Sequence, residues 1–339
     1  MRVQIFLNAG IPASEVTRLG ELAAGYGVDT LWASSFPARR DPLLCLAGLA
    51  ARPGALRLGV VPLSPYEVHP LKLADGLLTL NEMSGGRVSA TIGGLGHSVM
   101  RVTGLQPLRR VRAVRECVEI LRAAASGNAV DYTGELYTLQ NYQADWVTQR
   151  PPRLYVGANG PQMLRMSGAV ADGVMLSDVP RARMPDVMEQ LRRGRERGPL
   201  AGQPLEVTNF FAWHIQEDAA AAQAEARMEL VWRGLLQAWH TEPFLGAEAA
   251  AAVEQQRDAF LQAFLSRSPH IEGVAEATVQ ALVDHLTFTG GPEAIEGVAE
   301  ELTRFAAAGL DAVTLKIHGD AAAAIRLIGE RLLPALPAA

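Results

Sequence analysis

Cysteine is nearly absent: the chain of 339 residues holds two, Cys45 and Cys117. Both fall in helix-like patterns, and neither has a partner at metal-ligand spacing. A disulfide-built fold and a cysteine metal centre are therefore excluded, and the two are expected as reduced core residues. Basic residues are fewer than acidic ones, 31 against 36, for a formal net charge of -5. With no polybasic run, nothing points to nucleic acid as a partner. Lysine is scarcer still, since Lys72 and Lys316 are the only two and arginine supplies the other positive charges. That imbalance reads as genomic base composition, not chemistry. No apolar run reaches the roughly 18 residues of a membrane-spanning helix. Strand pattern begins at Val3, with no charged-then-apolar leader before it. These absences leave a soluble, cytoplasmic protein as the expectation, with no membrane and a small molecule as its partner.

What is present is apolar and regular. At 49% hydrophobic and 20% charged residues, the chain can bury one large core or two smaller ones. Leu58 to Gly96 reads as a complete strand, helix, strand unit. Leu58 to Val61 is a short apolar run suited to a strand buried on both faces. Pro62 and Pro65 end it, because proline donates no ladder hydrogen bond. His69-Pro70 opens a helix with proline at its first position, where the missing N–H costs nothing. Gly85-Gly86 closes that helix, and Val88 to Ile92 runs as the next strand into Gly93-Gly94-Leu95-Gly96.

The same alternation extends along the whole chain. Strands are expected at Val3 to Leu7, Thr30 to Ala33, Arg153 to Val156, Gly173 to Leu176, Val207 to Ile215 and Ala312 to Lys316. Helices lie between them, the first capped by Ser14. Arg101 to Pro107 reads as irregular, and 218–286 as helical with interruptions. Eight strands separated by helices imply an α/β fold, a parallel (β/α)8 TIM barrel. The expected organisation is a single domain, 1–339, with insertions around 97–108, 128–152 and 241–290. An open doubly wound sheet is the competing architecture. Its dinucleotide fingerprint fails here, because the glycines at 93–96 lack the G-x-G-x-x-G spacing and run into a non-helical stretch.

In a barrel the chemistry gathers at the C-terminal ends of the strands. Those ends carry Ser34-Ser35, Val61-Pro62-Leu63-Ser64, Gly93-Gly94, Gly157-Ala158-Asn159-Gly160, Ser177-Asp178, Trp213-His214 and Lys316-Ile317-His318. Glycines at neighbouring strand ends leave room for a flat ring. Gly160-Pro161-Gln162-Met163 opens a helix whose free N–H groups suit an anion such as a cofactor phosphate. Phe210, Phe211, Trp213, Tyr137 and Tyr142 could wall a pocket or simply fill the core, while Arg101, Arg109 and Arg110 could meet an anionic tail or remain solvated.

Several of these stretches together resemble the luciferase-like monooxygenase superfamily, and within it the branch dependent on coenzyme F420 that includes methylene-tetrahydromethanopterin reductase. The resemblance is carried by Pro65-Tyr66 with His69-Pro70, by Asn81-Glu82-Met83-Ser84-Gly85-Gly86-Arg87-Val88, by Gly160-Pro161-Gln162-Met163 through Ala171-Asp172-Gly173-Val174, and by Gly309-Leu310-Asp311. It implies a barrel with a flavin or deazaflavin ring at the strand tips, backed by a cis peptide that falls on Val61-Pro62. It also implies cofactor contacts at Ser34, Val61, Pro62, Leu63, Ser64, Gly93, Gly94, Gly157, Ala158, Asn159, Gly160, Gln162, Met163 and Ser177. Where relatives place an acidic residue followed by histidine at the end of strand two, this chain has Ser34-Ser35, neither of which titrates near neutral pH. His97 is the substitute catalytic residue the sequence offers, with His214 and His318 behind it and His69 as a structural residue at a helix start.

Three functions follow from the resemblance. The first is an F420-dependent oxidoreductase passing hydride between the deazaflavin and a small organic substrate. The second is an FMN-dependent monooxygenase, and the third a non-catalytic flavin-binding homologue. The sequence names neither the substrate nor the oligomeric state, although flat Ala-rich helices leave room for a homodimer.

Overall fold

The computed structural model describes residues 1–337, without the side chains of His97, Ser98 and Leu235. Its strands are β1 (Arg2–Leu7), β2 (Thr30–Ser34), β3 (Arg57–Leu63), β4 (Val88–Ile92), β5 (Val130–Thr133), β6 (Thr138–Tyr142), β7 (Arg153–Gly157), β8 (Gly173–Ser177), β9 (Glu206–Ile215), β10 (Thr287–Gly290) and β11 (Ala312–Ile317). The sheet order is β10-β9-β11-β1-β2-β3-β4-β7-β8, with a further pairing of β9 to β8. Eight of these strands thus follow one another in a closed order, the topology of a (β/α)8 barrel. Pairing is parallel, with Ile5 opposite Leu31, Leu31 opposite Leu58 and Ala90 opposite Leu154.

Two local expectations are corrected, and three short strands are added. The glycines after β4 lead into a helix, His97–Thr103, and not an irregular stretch. Residues 128–152 contain an antiparallel hairpin, β5 with β6, and the short β10 pairs alongside β9. The first helix, Ala13–Gly25, starts after Pro12 with no side-chain cap, so Ser14 does not cap it. Among the described residues, no helix is long and apolar enough to cross a membrane.

The chain divides into two compact units. The first comprises Gln4–Met175 and Val187–Thr208. Its helix Pro70–Met83 is capped by His69, whose Nδ1 accepts the Leu71 N–H at 3.2 Å, which leaves His69 in the structural role expected of it. The run from Asn81 to Val88 turns out to be a latch. Asn81 donates to the Arg150 carbonyl at 2.8 Å and accepts the Val88 N–H at 3.2 Å. Arg87 donates to the carbonyls of Ser84, Leu56 and Arg52 at 2.7, 2.9 and 2.6 Å. Asp172, from the other distinctive run, accepts the Leu154 N–H at 2.9 Å and pairs with Arg122 at 2.9 Å. These residues satisfy backbone groups that the helix-to-strand turns would otherwise bury unpaired. Cys117 is buried, and burial pushes its thiol up to about 12. Cys45 is also free and buried.

The second unit comprises Met1–Val3, Leu176–Asp186 and Asn209–Ala339. Its helix Ala219–Glu229 is capped by Asp218, which accepts the N–H groups of Ala220 and Ala221 at 3.0 Å. The helices that follow β9 enclose a small core of their own around Phe260, Leu282, Val283 and Leu286.

Candidate functional site

In the first unit the ends of β2, β3, β4 and β7 converge on a surface with little side-chain bulk. The Val61-Pro62 bond is cis. Pairing continues on both sides of it: the Ser35 N–H donates to the Val61 carbonyl at 2.7 Å, and the Gly93 N–H to the Leu63 carbonyl at 2.8 Å. A Cβ added at Gly93 would stand 3.2 Å from the Pro62 Cβ, closer than ordinary contact. One added at Gly94 would fall between Arg110 (3.4 Å) and the Met163 methyl (3.5 Å). One at Gly157 would meet Thr91 at 3.7 Å. At each of these glycines a Cβ would already meet a neighbouring side chain, so glycine there permits close approach. It brings Pro62 beside Gly93 and Met163 beside Gly94, with Val61 and Leu63 flanking the cis bond and Gly157 on the adjacent strand.

Beside them, Ser64 is buried and its hydroxyl accepts the Tyr66 N–H at 3.4 Å, so it belongs to a serine turn. Ala158 is buried and its N–H donates to the Met175 carbonyl at 3.1 Å. Ser34, Asn159 and Gly160 are half-buried. Gly160 is the N-cap of the helix Pro161–Val170 and no side chain caps it. Its φ of -80° and ψ of 150° are ordinary extended values, and a Cβ there would touch nothing within 4 Å. The positive end of a helix therefore faces open space next to the glycine surface.

Other expected residues go elsewhere. The Ser177 hydroxyl donates to Asp178 at 2.9 Å within the second unit. The side chain of His97 lies outside the described residues. Trp213 and Phe211 are buried core, the latter packed on Phe288 and Phe305 at 5.0 and 5.3 Å. Tyr137 donates to the Pro65 carbonyl at 3.1 Å and Tyr142 to Asp75 at 3.2 Å.

The second unit holds a separate group of titratable side chains. His214, at the end of β9, is buried, and its Nδ1 lies 3.0 Å from the Glu225 carboxylate. His318 stacks on it with ring centroids 4.1 Å apart. Asp178, at the end of β8, is fully buried and pairs with Arg233 at 3.1 Å. The sequence had marked His214, His318 and Asp178 by their strand ends. Nothing in the Ala-rich stretch after β9 singled out Glu225 or Arg233.

Burial pushes His214 down, against the pull of Glu225. It also lowers His240, and His318 lies well below the usual histidine range through burial and its neighbours His214, Lys316 and Arg233. Each imidazole binds a proton less readily folded than unfolded. Its contribution is therefore complete above the unfolded value of about 6.5 and is lost as pH falls from there toward the lower folded values. The urea midpoint is expected to drop between pH 7.5 and pH 5.5, and His318→Gln is expected to flatten that slope. A slope unchanged by the substitution would take His318 out of the explanation.

A model of the luciferase-like monooxygenase family matches residues 1–312. The chain is 25% identical over 320 residues to the 5,10-methylenetetrahydromethanopterin reductase of Archaeoglobus fulgidus, covering 93% of this chain and 94% of that protein. It is 29% identical over 204 residues to the F420-dependent glucose-6-phosphate dehydrogenase of Nakamurella multipartita, covering 54% and 58% of the two chains. Among solved structures, the coenzyme F420-dependent tetrahydromethanopterin reductase of Methanopyrus kandleri superposes with a TM-score of 0.82 over 99% of both chains, at 20% identity.

Proposed function

The chain belongs to the luciferase-like monooxygenase family, and from that premise we propose that it is a coenzyme F420-dependent oxidoreductase, passing hydride between the deazaflavin and a small organic substrate. The observation that carries the reading is the uncapped helix start at Gly160 beside the glycine surface of β3, β4 and β7. A long planar cofactor with a phosphate needs a flat, unobstructed floor and a preformed anion site at one end of it. The name of the similar F420-dependent glucose-6-phosphate dehydrogenase favours F420 over FMN.

When bound, the deazaflavin supplies a two-electron hydride donor or acceptor. The residues of this chain bind and orient it. Pro62 and Leu63 would back the ring, Gly93, Gly94 and Gly157 would let it approach the backbone, and Ser34, Ser64, Ala158 and Asn159 would border it. The N–H groups of Gln162 and Met163, at the helix start that Gly160 leaves open, would meet the phosphate. Neither Ser34 nor Ser35 can act as a general acid unaided.

The test is to titrate apo-protein with F420 and with FMN, following quenching of cofactor fluorescence. Saturable one-to-one binding is expected for F420, with FMN at least about tenfold weaker. Quenching by neither cofactor would remove the reading. Tighter binding of FMN, together with oxygen uptake when the flavin is reduced, would replace it with the FMN-dependent monooxygenase that the family's name suggests.

A further inference from the structure

Lys316 and His318 extend from the end of β11, two residues apart and so on one face of the strand. Lys316 is half-buried, and among the described residues its side chain has no hydrogen bond or ion pair. The Nε2 of His318, the Nε2 of His214 and the Nε of Arg233 are buried and without hydrogen-bond partners. Arg233 itself is 1% exposed and spends one terminal nitrogen on Asp178. Unmet polar atoms on neighbouring buried side chains call for a ligand that meets them.

Charge decides which ligand. His214, Glu225 and His318 offer three metal-capable atoms within 4.8 Å of one another. Yet stacked imidazoles direct their lone pairs side by side, not toward a common point. His318 is also held in its neutral form by burial and by His214, Lys316 and Arg233, while the nearby Glu225 carboxylate is engaged by His214. Lys316 is drawn down to about 8 by burial and by Arg233, against Glu229 and Asp178. Asp178 is already committed to Arg233, the Gly234 N–H and the Ser177 hydroxyl, and Glu225 to His214. A cation would add to this repulsion, and an anionic oxygen would relieve it.

We propose that Lys316, His318 and the Nε of Arg233 form a binding site for an oxyanion, the carboxylate or phosphate of the small-molecule substrate. Its assignment to the substrate rests on the oxidoreductase reading above, whereas the anion binding rests on these residues alone. An arriving anion accepts from the ammonium and the guanidinium, and it draws a proton onto His318 from solvent.

Calorimetric titration of apo-protein with inorganic phosphate, and separately with acetate, tests this without any cofactor. One saturable site is expected, about tenfold or more weaker in Lys316→Met and in His318→Gln, the size of one charge-assisted hydrogen bond. Binding should weaken above pH 8, as Lys316 loses its proton. In wild type at pH 7 the heat should vary with the ionisation enthalpy of the buffer, which reports proton uptake and needs no variant. Phosphate binding without acetate binding would identify a phosphate ester, and binding of both would identify an oxyanion of either source. Non-saturable heats, or equal affinity in both variants and hence an adventitious ion only, would overturn the site. So would stoichiometric Zn2+ binding abolished by His318→Gln. Failure here with F420 still bound would leave the cofactor reading standing.

Discussion

Gly160→Asp should abolish most cofactor affinity while making the protein slightly more stable. The two effects have one cause. Gly160 stands at the start of the helix Pro161–Val170, uncapped, in an extended conformation that aspartate adopts without strain. The added carboxylate can accept the first free N–H groups of the helix and lies at the positive end of its dipole, which together contribute about 0.5 to 1 kcal/mol. Those are the donors proposed to hold the cofactor phosphate. Occupying them, and placing a negative charge beside the phosphate, is expected to cost about 2 to 3 kcal/mol, or roughly a hundredfold in Kd for F420. Gly160→Asn caps the helix without the charge and should give an intermediate loss, separating occupancy from repulsion. Fluorescence titration reads the affinity and urea unfolding the stability. An unchanged Kd in Gly160→Asp would move the phosphate away from this helix.

Asp178→Ala should be among the most destabilising single substitutions in the second unit. Asp178 is 0% exposed and Arg233 1%, and they pair at 3.1 Å. The other carboxylate oxygen accepts the Gly234 N–H at 3.1 Å and the Ser177 hydroxyl at 2.9 Å. Asp178 also sits at a φ of 52°, a left-handed conformation that aspartate tolerates better than alanine. Removing the carboxylate leaves a buried guanidinium uncompensated, at a cost of about 3 to 5 kcal/mol. Arg233→Met alone should be costly as well, because it strands the carboxylate. The double substitution should cost less than the sum of the two by about 1 to 3 kcal/mol, since neither charge then remains buried alone. Urea midpoints of the four proteins close the cycle. Additive losses would mean that the pair does not act as a unit.

The eight barrel strands were legible because a strand buried on both faces of a parallel sheet tends to be a short apolar run, as at Leu58 to Val61. The helix start at Pro70 was legible because proline there acts through its own missing N–H. The hairpin of β5 and β6 was not, because its residues, such as Val130-Asp131-Tyr132-Thr133, alternate half-buried with exposed positions and lack a strong apolar signal. The helix His97–Thr103 was hidden behind the glycines that precede it. The run from Asn81 to Val88 helps carry the family resemblance, but that its side chains close turns depends on which carbonyls lie within reach of Arg87.

What the sequence determined by itself was therefore local: where strands and helices form, which strand ends carry glycine in place of bulk, and that Ser34-Ser35 cannot titrate. Only the tertiary structure decided which charges lose water and what they meet when they do. Asp178 and Arg233 lie 55 positions apart, and His214 and Glu225 lie 11 apart. Neither spacing has a period that predicts contact. A charge or a proton affinity is set by desolvation and by the few groups within reach, and both are properties of the packed chain, not of any segment of it.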